Sequence, residues 1–369
     1  MKYYIIAGEA SGDLHGSNLM KSIYEEDSQA EIRFWGGDLM QNVGGTLVKH
    51  YKERSFMGFF EVIQNISKIF KDIAFCKNDI LSFQPDALIF IDNSGFNLRI
   101  AKWAKQHNFK TSYYISPQVW ASRPGRVHTI KQIVDHMYVI LPFEEGFYKK
   151  YDYPVTFVGH PLIDAINNRK ISSENEFRKE NNLSEKPIIA LLPGSRKQEI
   201  TKMLSVMLSV VKDFNDYQFV IAGAPSQEFS FYQSFLKNEN VHFISNKTYD
   251  LLSISYAALV TSGTATLETA LFKVPEVVCY RGSWVSYQIA KRIITLKYIS
   301  LVNLIMDREV VKELIQDEFN TQNLKKELSK ILDSATRQQI LKDYEELEER
   351  LGGEGASKKT AKLIVNSIK

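Results

Sequence analysis

Two junctions in the second half of the chain carry residue types that bind phosphate. Residues 192–196 read Leu-Pro-Gly-Ser-Arg after an apolar run, so Gly194 permits close backbone approach and Arg196 offers an anion a rigid fork of donors. Residues 262–268 read Ser-Gly-Thr-Ala-Thr-Leu-Glu and are predicted to open a helix, whose free N–H groups and dipole favour a diphosphate. Either junction alone indicates only a capped helix or turn. Both together predict a diphosphate site.

The same two junctions supply partners for the rest of a nucleotide. Glu268 lies about one turn inside the second predicted helix, where its carboxylate can accept hydrogen bonds from the hydroxyls of a ribose. The other predicted contacts with a nucleotide sugar are Gly194, Ser195, Arg196, Ser262, Gly263, Thr264 and Ala265.

Carboxylates and an imidazole follow the first apolar run. Residues 8–16 match neither the three-glycine dinucleotide fingerprint nor a Walker loop, which disfavours NAD and ATP. A helix cap would account for Ser11 and Asp13. Capping alone explains less well why Glu9 and His15 lie so close together at a strand end.

A second strand-end carboxylate, Asp92, follows the apolar run 87–91. Ligands of open parallel sheets bind beyond the carboxyl ends of the strands, so Asp92 is expected to face the same cleft as the residues after the first strand.

The elements that position these junctions are short apolar runs alternating with helical patterns. This alternation predicts a parallel, doubly wound sheet, and its restart after a polar stretch at 167–186 predicts two Rossmann-like α/β domains that face a cleft. We expect an N-terminal domain over 1–160 and a C-terminal nucleotide-sugar domain over 161–337, with the charged helical segment 338–369 packing back on the first. The predicted strands are 3–7, 32–35, 87–91, 111–115, 137–141, 155–158, 188–192, 219–222, 241–244, 258–261 and 277–280.

Length and composition agree with a folded two-domain protein. The chain has 369 residues, of which 44% are hydrophobic and 24% charged, which excludes a disordered or collagen-like protein. The net charge of +3 is too small for a general polyanion binder, so no nucleic-acid partner is expected, and any attraction to acidic lipid must be local.

The cysteines and the hydropathy pattern indicate in which cellular compartment the protein is expected. Cys76 and Cys279 fit neither a disulfide framework nor a metal-ligand spacing, and both are predicted to be core thiols. The N-terminus lacks the hydrophobic region of a signal peptide, and no apolar run approaches the roughly 18 residues of a spanning helix. We therefore expect a cytoplasmic protein with at most peripheral membrane contact.

In combination, the motifs resemble those of the lipid-A-disaccharide synthases, a glycosyltransferase family, from residue 3 to at least 315. The matching segments are 8–13, 116–121 (Ser-Pro-Gln-Val-Trp-Ala), 192–196, 262–268 and 300–304 (Ser-Leu-Val-Asn-Leu). The resemblance implies a GT-B fold and β-1,6 transfer of diacylglucosamine from UDP-2,3-diacylglucosamine to 2,3-diacylglucosamine 1-phosphate, with release of UDP, in the lipid A biosynthesis of a Gram-negative bacterium. It adds Asn303 to the expected UDP-sugar contacts.

The chain departs from the family pattern at three positions. Gly95 stands where many members carry the second Asp of an Asp-x-Pro-Asp-Phe-Asn motif, Ser122 where a second Trp is usual, and Val302 where a Pro is usual. The phosphate-binding elements are intact, so the activity implied by the resemblance is retained as the expectation.

Inverting sugar transfer needs a base for the acceptor hydroxyl and a group that stabilises the departing UDP. Arg196 and the helix N-terminus at 263–265 are expected to hold the diphosphate. No Asp-x-Asp motif occurs at a plausible strand end of the donor domain, so neither a metal nor a cofactor is expected. For the base we favour Asp92 or Glu9, with His15 third.

An apolar helical face with interspersed lysines is predicted from residue 59 onward. Its large side chains are Phe59, Phe60, Ile63, Ile66 and Phe70. The alternative is a helix packed on the sheet. Given acylated substrates, we expect this face to hold acyl chains and to lie against the cytoplasmic surface of the inner membrane.

Two other functions remain open at this level. A soluble GT-B enzyme similar to UDP-N-acetylglucosamine 2-epimerases would share the 262–264 turn and Glu268 but would not need a Phe-rich face. A non-catalytic nucleotide-sugar sensor would keep the UDP site and lack a base, as Gly95 suggests. The sequence leaves the oligomeric state open, a homodimer included.

Overall fold

The computed structural model describes residues 1–54, 66–169, 173–236, 240–282 and 296–369 and divides into two compact units. Unit 1 comprises Met1–Asn167 and Leu351–Lys369, and unit 2 comprises Asn168–Arg350. The division therefore falls after Asn167 rather than after residue 160. Of the C-terminal segment 338–369, only the part from Leu351 onward belongs to unit 1, because the helix that contains residue 338 continues to Arg350 within unit 2.

A parallel sheet forms the centre of unit 1. In the described part of this unit it has seven strands in the order β3-β2-β1-β4-β5-β6-β7, so the strand order reverses between β1 and β4. The strands are β1 Lys2–Ala7, β2 Glu31–Gly36, β3 Thr46–His50, β4 Ala87–Ile91, β5 Thr111–Tyr114, β6 His136–Val139 and β7 Thr156–Phe157.

Helices cover both faces of this sheet. Along β1, Tyr4 and Ile6 join one buried cluster and Tyr3 and Ile5 join the other, as expected for a strand buried on both sides. The helices are α1 Ala10–Glu26, α2 Asp38–Val43, α3 Ile66–Phe83, α4 Ser94–Gln106, α5 Val119–Ser122, α6 Val127–Ile133, α7 Glu144–Lys149, α8 Pro161–Asn167 and, from the C-terminal part, α17 Ala356–Ile368.

Unit 2 repeats the plan with a smaller sheet. Its described residues form six parallel strands in the order β10-β9-β8-β11-β12-β13, and the order reverses between β8 and β11. The strands are β8 Ile188–Leu192, β9 Gln218–Gly223, β10 Val241–Ser245, β11 Ser255–Thr261, β12 Glu276–Tyr280 and β13 Lys312–Ile315. The helices are α9 Glu174–Glu180, α10 Lys197–Met207, α11 Phe229–Tyr232, α12 Thr248–Ser253, α13 Thr264–Leu271, α14 Leu301–Met306, α15 Thr321–Leu332 and α16 Ser334–Arg350.

The structure confirms the predicted fold class, two parallel α/β sheets covered by helices. Each of the eleven predicted strands is present, with ends that differ by a few residues at most. The edge strands β3 and β13 were not predicted, because neither contains a fully buried apolar run. Cys76 and Cys279 are buried and free, as expected for core thiols.

Candidate functional site

A cavity of about 480 Å³ lies in unit 2, at the place where the strand order of its sheet reverses. Leu192 at the end of β8 lies beside Val260 of β11, so the turns that follow these two strands are neighbours. Such a reversal is where α/β sheets bind ligands. The cavity is lined by Leu192, Pro193, Gly194, Ser195, Arg196, Glu199, Ala222, Gly223, Ala224, Pro225, Thr248, Thr261, Ser262, Gly263, Thr264, Ala265 and Glu268.

The conformation of the turn after β8 depends on Gly194 and on a hydrogen bond to Glu199. Gly194 has a φ of +101°, and a Cβ there would lie 2.5 Å from Oε2 of Glu199, so the position requires glycine. The Ser195 N–H donates to the same Glu199 oxygen at 3.3 Å. Arg196 is exposed, and its guanidinium makes no hydrogen bond or ion pair with any residue that the structure describes. It is therefore available to an anion in the cavity.

The turn after β11 leads directly into α13. A Cβ on Gly263 would meet no atom within 4 Å, so the backbone at this turn is open towards the cavity. The helix begins at Thr264, and the first N–H groups of a helix have no partner within it. The Ser262 hydroxyl donates a hydrogen bond of 2.9 Å to the Ile299 carbonyl, which connects this turn to the segment just before α14. The arrangement suits a phosphate group at the helix N-terminus.

Glu268 contributes a largely buried carboxylate to the same cavity. Burial raises its pKa above the usual value, and a hydrogen bond from Tyr249 opposes that rise. The Tyr249 hydroxyl lies 2.8 Å from Oε1 of Glu268, which leaves the other oxygen free to accept from a ligand. All the sequence-predicted UDP-sugar contacts except Asn303 thus line one cavity.

Asn303 has a different place. It is fully buried, its Oδ1 accepts from the N–H groups of Val310 and Val311, and its Nδ2 donates to the Val311 carbonyl and to Glu313. It does not belong to the residues that line the cavity. Because both polar atoms of its amide are engaged, the geometry gives Asn303 a structural role in the turn between α14 and β13 and does not support a direct contact with the UDP-sugar.

In unit 1 the corresponding reversal brings together the ends of β1 and β4. Ala7 pairs with Ile91, so Gly8 and Asp92 follow neighbouring positions. A Cβ on Gly8 would lie 1.9 Å from Nδ2 of Asn93, so a larger residue there would displace the Asn93 side chain. Asn97 is buried, and its Nδ2 donates to the carbonyls of Ile6, Ile91 and Asp92 at 3.3, 3.2 and 2.9 Å.

Asp92, the first residue after β4, carries a carboxyl with a raised pKa. Burial, the largest cause, and the charge of Glu9 together raise the pKa of its carboxyl to about 6, against the opposing effect of a hydrogen bond from the Asn93 N–H. Its backbone is in the left-handed region with a φ of 45°, and its carbonyl accepts a hydrogen bond from the Tyr113 hydroxyl. A base with a pKa near neutrality combines an ionised form at pH 7 with useful basicity.

The other candidates from the first junction are placed less favourably. Glu9 is exposed and occupies the N-cap position just before α1, where its side chain makes no capping hydrogen bond. His15 is buried, and its pKa is lowered to about 4 because burial outweighs the opposing charge of Asp164. Asp13 accepts hydrogen bonds from the N–H groups of residues 37, 39 and 40 at the start of α2 and is therefore structural. These contacts favour Asp92 over His15 as a base.

Glu144 holds the first residue of the 116–121 motif by a hydrogen bond. It is buried, it accepts a hydrogen bond from the Ser116 hydroxyl, and its Oε2 accepts from the N–H groups of Ile140 and Leu141 at 3.2 and 2.9 Å. Burial raises the pKa of its carboxyl. Trp120 packs edge-on against Phe143, with ring centroids 4.9 Å apart. These contacts hold Ser116 and Trp120 of the motif in place.

Three residues of these sites were not identified from the sequence. Glu199 could have been found as the first-turn acid opposite Gly194, and Tyr249 as a residue just after the end of β10. Glu144 carried no local signal, because only the fold brings it to Ser116.

The predicted acyl-binding face lies partly outside the described residues. Phe59, Phe60 and Ile63 are not described, and neither is the side chain of Ile66, with which α3 begins. Phe70 on α3 is 64% exposed. Phe75 and Leu81 of the same helix are also exposed, while Ile73, Cys76 and Ile80 are buried.

No helix in the described part of the chain is both long and apolar enough to cross a membrane.

Comparison with known proteins identifies one family over nearly the whole chain. A family model described as lipid-A-disaccharide synthetase matches residues 3–367. Proteins named lipid-A-disaccharide synthase are 37% identical in Syntrophus aciditrophicus (strain SB), over 99% of this chain and 97% of that protein, and 36% identical in Geobacter metallireducens, over 99% and 96%.

Solved structures show the same fold at low sequence identity. UDP-GlcNAc 2-epimerase from Neisseria meningitidis bound to UDP-GlcNAc aligns with a TM-score of 0.69 and 13% identity, covering 100% of this chain and 99% of that one. A glycotransferase of kitacinnamycin aligns with a TM-score of 0.68 and 11% identity, over 100% and 99%. These neighbours establish the GT-B fold and nothing finer.

Proposed function

The chain belongs to the lipid-A-disaccharide synthase family, glycosyltransferases of lipid A biosynthesis, and we propose that it transfers 2,3-diacylglucosamine from UDP-2,3-diacylglucosamine to 2,3-diacylglucosamine 1-phosphate. The products would be the β-1,6-linked disaccharide 1-phosphate and UDP, with inversion at the anomeric carbon. The observation that carries this proposal is the convergence of Arg196, the N-terminus of α13 and Glu268 on one cavity.

The donor half of the reaction belongs to this cavity. Arg196 and the N–H groups at 263–265 would bind the diphosphate and stabilise the charge that develops on UDP as the glycosidic bond breaks. Glu268, held by Tyr249, would accept hydrogen bonds from the ribose hydroxyls. An arginine and a helix N-terminus together supply the positive potential that a metal ion supplies in other transferases.

The acceptor half belongs to the end of β4 in unit 1. Asp92 would take the proton of the acceptor 6-hydroxyl as that oxygen attacks the anomeric carbon. Since the pKa of Asp92 is about 6, most of the carboxylate is ionised at pH 7 and can act as a base. Gly95 provides no second carboxylate in this motif, so the proposal assigns the base to Asp92.

Both proposed substrates carry acyl chains, which gives the exposed apolar residues of α3 a function. Phe70, Phe75 and Leu81 would lie against the lipid of the cytoplasmic face of the inner membrane, as a peripheral contact. The lysines of the same segment, Lys68 and Lys71, would favour anionic lipid.

A turnover assay tests the proposed reaction. Purified protein is incubated with UDP-2,3-diacylglucosamine and 2,3-diacylglucosamine 1-phosphate, and mass spectrometry is used to detect UDP and the disaccharide. The configuration of the new bond, read by NMR, tests inversion. Omission of the acceptor should abolish UDP release, and UDP-GlcNAc should not be epimerised. Binding of UDP without any transfer would favour a nucleotide-sugar sensor instead.

A further inference from the structure

Two arginines beside the 116–121 motif have no counter-charge in the described part of the chain. Arg123 and Arg126 are exposed, and neither side chain makes a hydrogen bond or ion pair with any described residue. Among the arginines whose side chains the structure describes, Arg196 in the phosphate cavity is the other one without such a partner. The remaining ones, each bonded to a carboxylate or a carbonyl, are Arg33, Arg99, Arg169, Arg178, Arg281, Arg308, Arg337 and Arg350.

The two arginines share one turn at the carboxyl edge of the unit 1 sheet. The Arg126 N–H donates to the Arg123 carbonyl at 3.1 Å, and a 3₁₀ turn, Pro124–Arg126, connects them to α6. This segment follows β5, whose last residue pairs with Ile91 of β4. Arg123 and Arg126 therefore follow the same edge of the sheet as Asp92.

The charge of Arg126 reaches the surroundings of Asp92. Burial raises the pKa of the Tyr113 hydroxyl, the charge of Asp92 adds to this rise, and the positive charge of Arg126 opposes it. The same hydroxyl donates to the Asp92 carbonyl. One buried tyrosine thus lies within the electrostatic range of both the candidate base and the arginine.

The position of this turn is fixed before any ligand binds. The preceding motif is anchored by the bond from Ser116 to the buried Glu144 and by the packing of Trp120 against Phe143. An anchored turn loses less conformational freedom on binding than a free loop, so more of the interaction energy appears as affinity.

We infer that Arg123 and Arg126 form the subsite for the phosphomonoester of the acceptor sugar, near the base that activates its hydroxyl. A phosphomonoester carries up to two negative charges on oxygens that match the planar donor fork of a guanidinium, and two unpaired arginines on one turn can balance them. The inference rests on the proposed function and extends it: the donor diphosphate would bind at Arg196, and the acceptor phosphate at Arg123 and Arg126.

The test compares acceptors with and without the phosphate. For the double variant R123A/R126A we expect the KM for detergent-dispersed 2,3-diacylglucosamine 1-phosphate to rise by about tenfold or more, as for the loss of charge-assisted hydrogen bonds. The KM for the UDP-sugar should stay unchanged. The inhibition constant of 2,3-diacylglucosamine, which has the same acyl chains and no phosphate, should also stay unchanged. Lys150→Ala removes an exposed charge of the same unit and should alter none of these three constants.

Four other results would each contradict the phosphate subsite for a different reason. A parallel loss of affinity for the phosphorylated and the unphosphorylated sugar would indicate a structural role for the turn. A rise in KM seen only when the acceptor is presented in anionic vesicles would assign the arginines to a lipid headgroup. Failure of the wild-type protein to transfer sugar at all would refute the proposed function itself, whereas normal transfer with unchanged kinetics of the variant would refute this subsite alone.

Discussion

The hydroxyl of Tyr249 donates a hydrogen bond of 2.8 Å to Oε1 of Glu268, a carboxylate that burial would otherwise protonate more readily. Tyr249 lies in α12 and Glu268 in α13, so two helices that begin at the carboxyl edge of the same sheet cooperate in one polar contact. Because the bond stabilises the ionised form of Glu268, it helps to keep an acceptor for ribose hydroxyls in the cavity.

Tyr249→Phe should weaken UDP binding and change its pH dependence. Loss of the hydroxyl removes the one contact that lowers the pKa of Glu268, so protonation begins at higher pH and binding falls earlier on the acid side. We expect the Kd for UDP to rise by about five- to tenfold at pH 7. Calorimetric titration between pH 5.5 and 8 measures this, with Tyr217→Phe as a control outside the cavity. Identical acid limbs for the variant and the wild type would contradict the role.

Arg196→Ala should lower kcat by at least about tenfold, because it removes the one guanidinium among the described residues that line the cavity, the group that we propose stabilises the departing diphosphate. Steady-state kinetics with saturating acceptor measures the effect. Lys202→Ala removes an exposed cation on α10, the helix that begins just after Arg196, and should leave kcat unchanged. Wild-type turnover in the Arg196 variant would exclude this stabilisation.

Activity should not depend on a divalent metal. In the proposed function, Arg196 and the N-terminus of α13 supply the positive potential at the diphosphate. Dialysis against EDTA should therefore leave initial rates within about twofold of the untreated enzyme. Abolition by EDTA with recovery on addition of Mg²⁺ would show that a metal carries this role.

The pH dependence of kcat/KM distinguishes whether Asp92 or Glu9 is the base, because substitutions of the two residues should change it in different ways. If Asp92 is the base, kcat/KM falls as the pH drops below about 6, where the carboxylate gains a proton, and Asp92→Asn lowers it by about 10²- to 10⁴-fold. Glu9→Gln removes a charge that raises the pKa of Asp92, so the acid limb should move to lower pH with activity retained. A complete loss of activity in Glu9→Gln, with an active Asp92→Asn, would reverse the assignment.

The sequence was sufficient to predict which residues line the cavity of unit 2, because they follow strand ends directly, and insufficient for the partners that packing brings to them. The turns after β8 and β11 are readable because glycine, small residues and Arg196 follow apolar runs directly. The partners of Tyr249 and Glu144 lie 19 and 28 residues away, so only the fold shows these contacts, although the position of Tyr249 just after β10 made it a candidate for the site.

Asn303 and the edge strands β3 and β13 also show what the sequence could not predict. Asn303 belongs to a motif that resembles the family's, yet both polar atoms of its amide form hydrogen bonds with the backbone just before β13. The strands β3 and β13 have partly exposed, polar sequences, because an edge strand is paired on one side only. Neither fact is visible without knowing which backbone groups lie nearby.

The exposed side of α3 should act at a membrane, and Phe70→Ser tests it. Phe70 is 64% exposed, so the substitution should change the free energy of unfolding by no more than about 0.5 kcal/mol. Its ring would bury apolar area in a bilayer, so the variant should sediment less with anionic vesicles and show a raised KM for acceptor presented in lipid. Kinetics with detergent-dispersed acceptor should remain unchanged.

Ile73→Ser on the same helix is the matched control, because Ile73 is buried against the sheet. This change creates a cavity and a buried hydroxyl and should lower the free energy of unfolding by about 2–5 kcal/mol. The fraction that remains folded should bind vesicles as the wild type does, since the exposed side of the helix is intact. A cooperative drop in Tm for Phe70→Ser, with vesicle binding preserved, would instead place Phe70 in the packing of unit 1 and remove the membrane contact from α3.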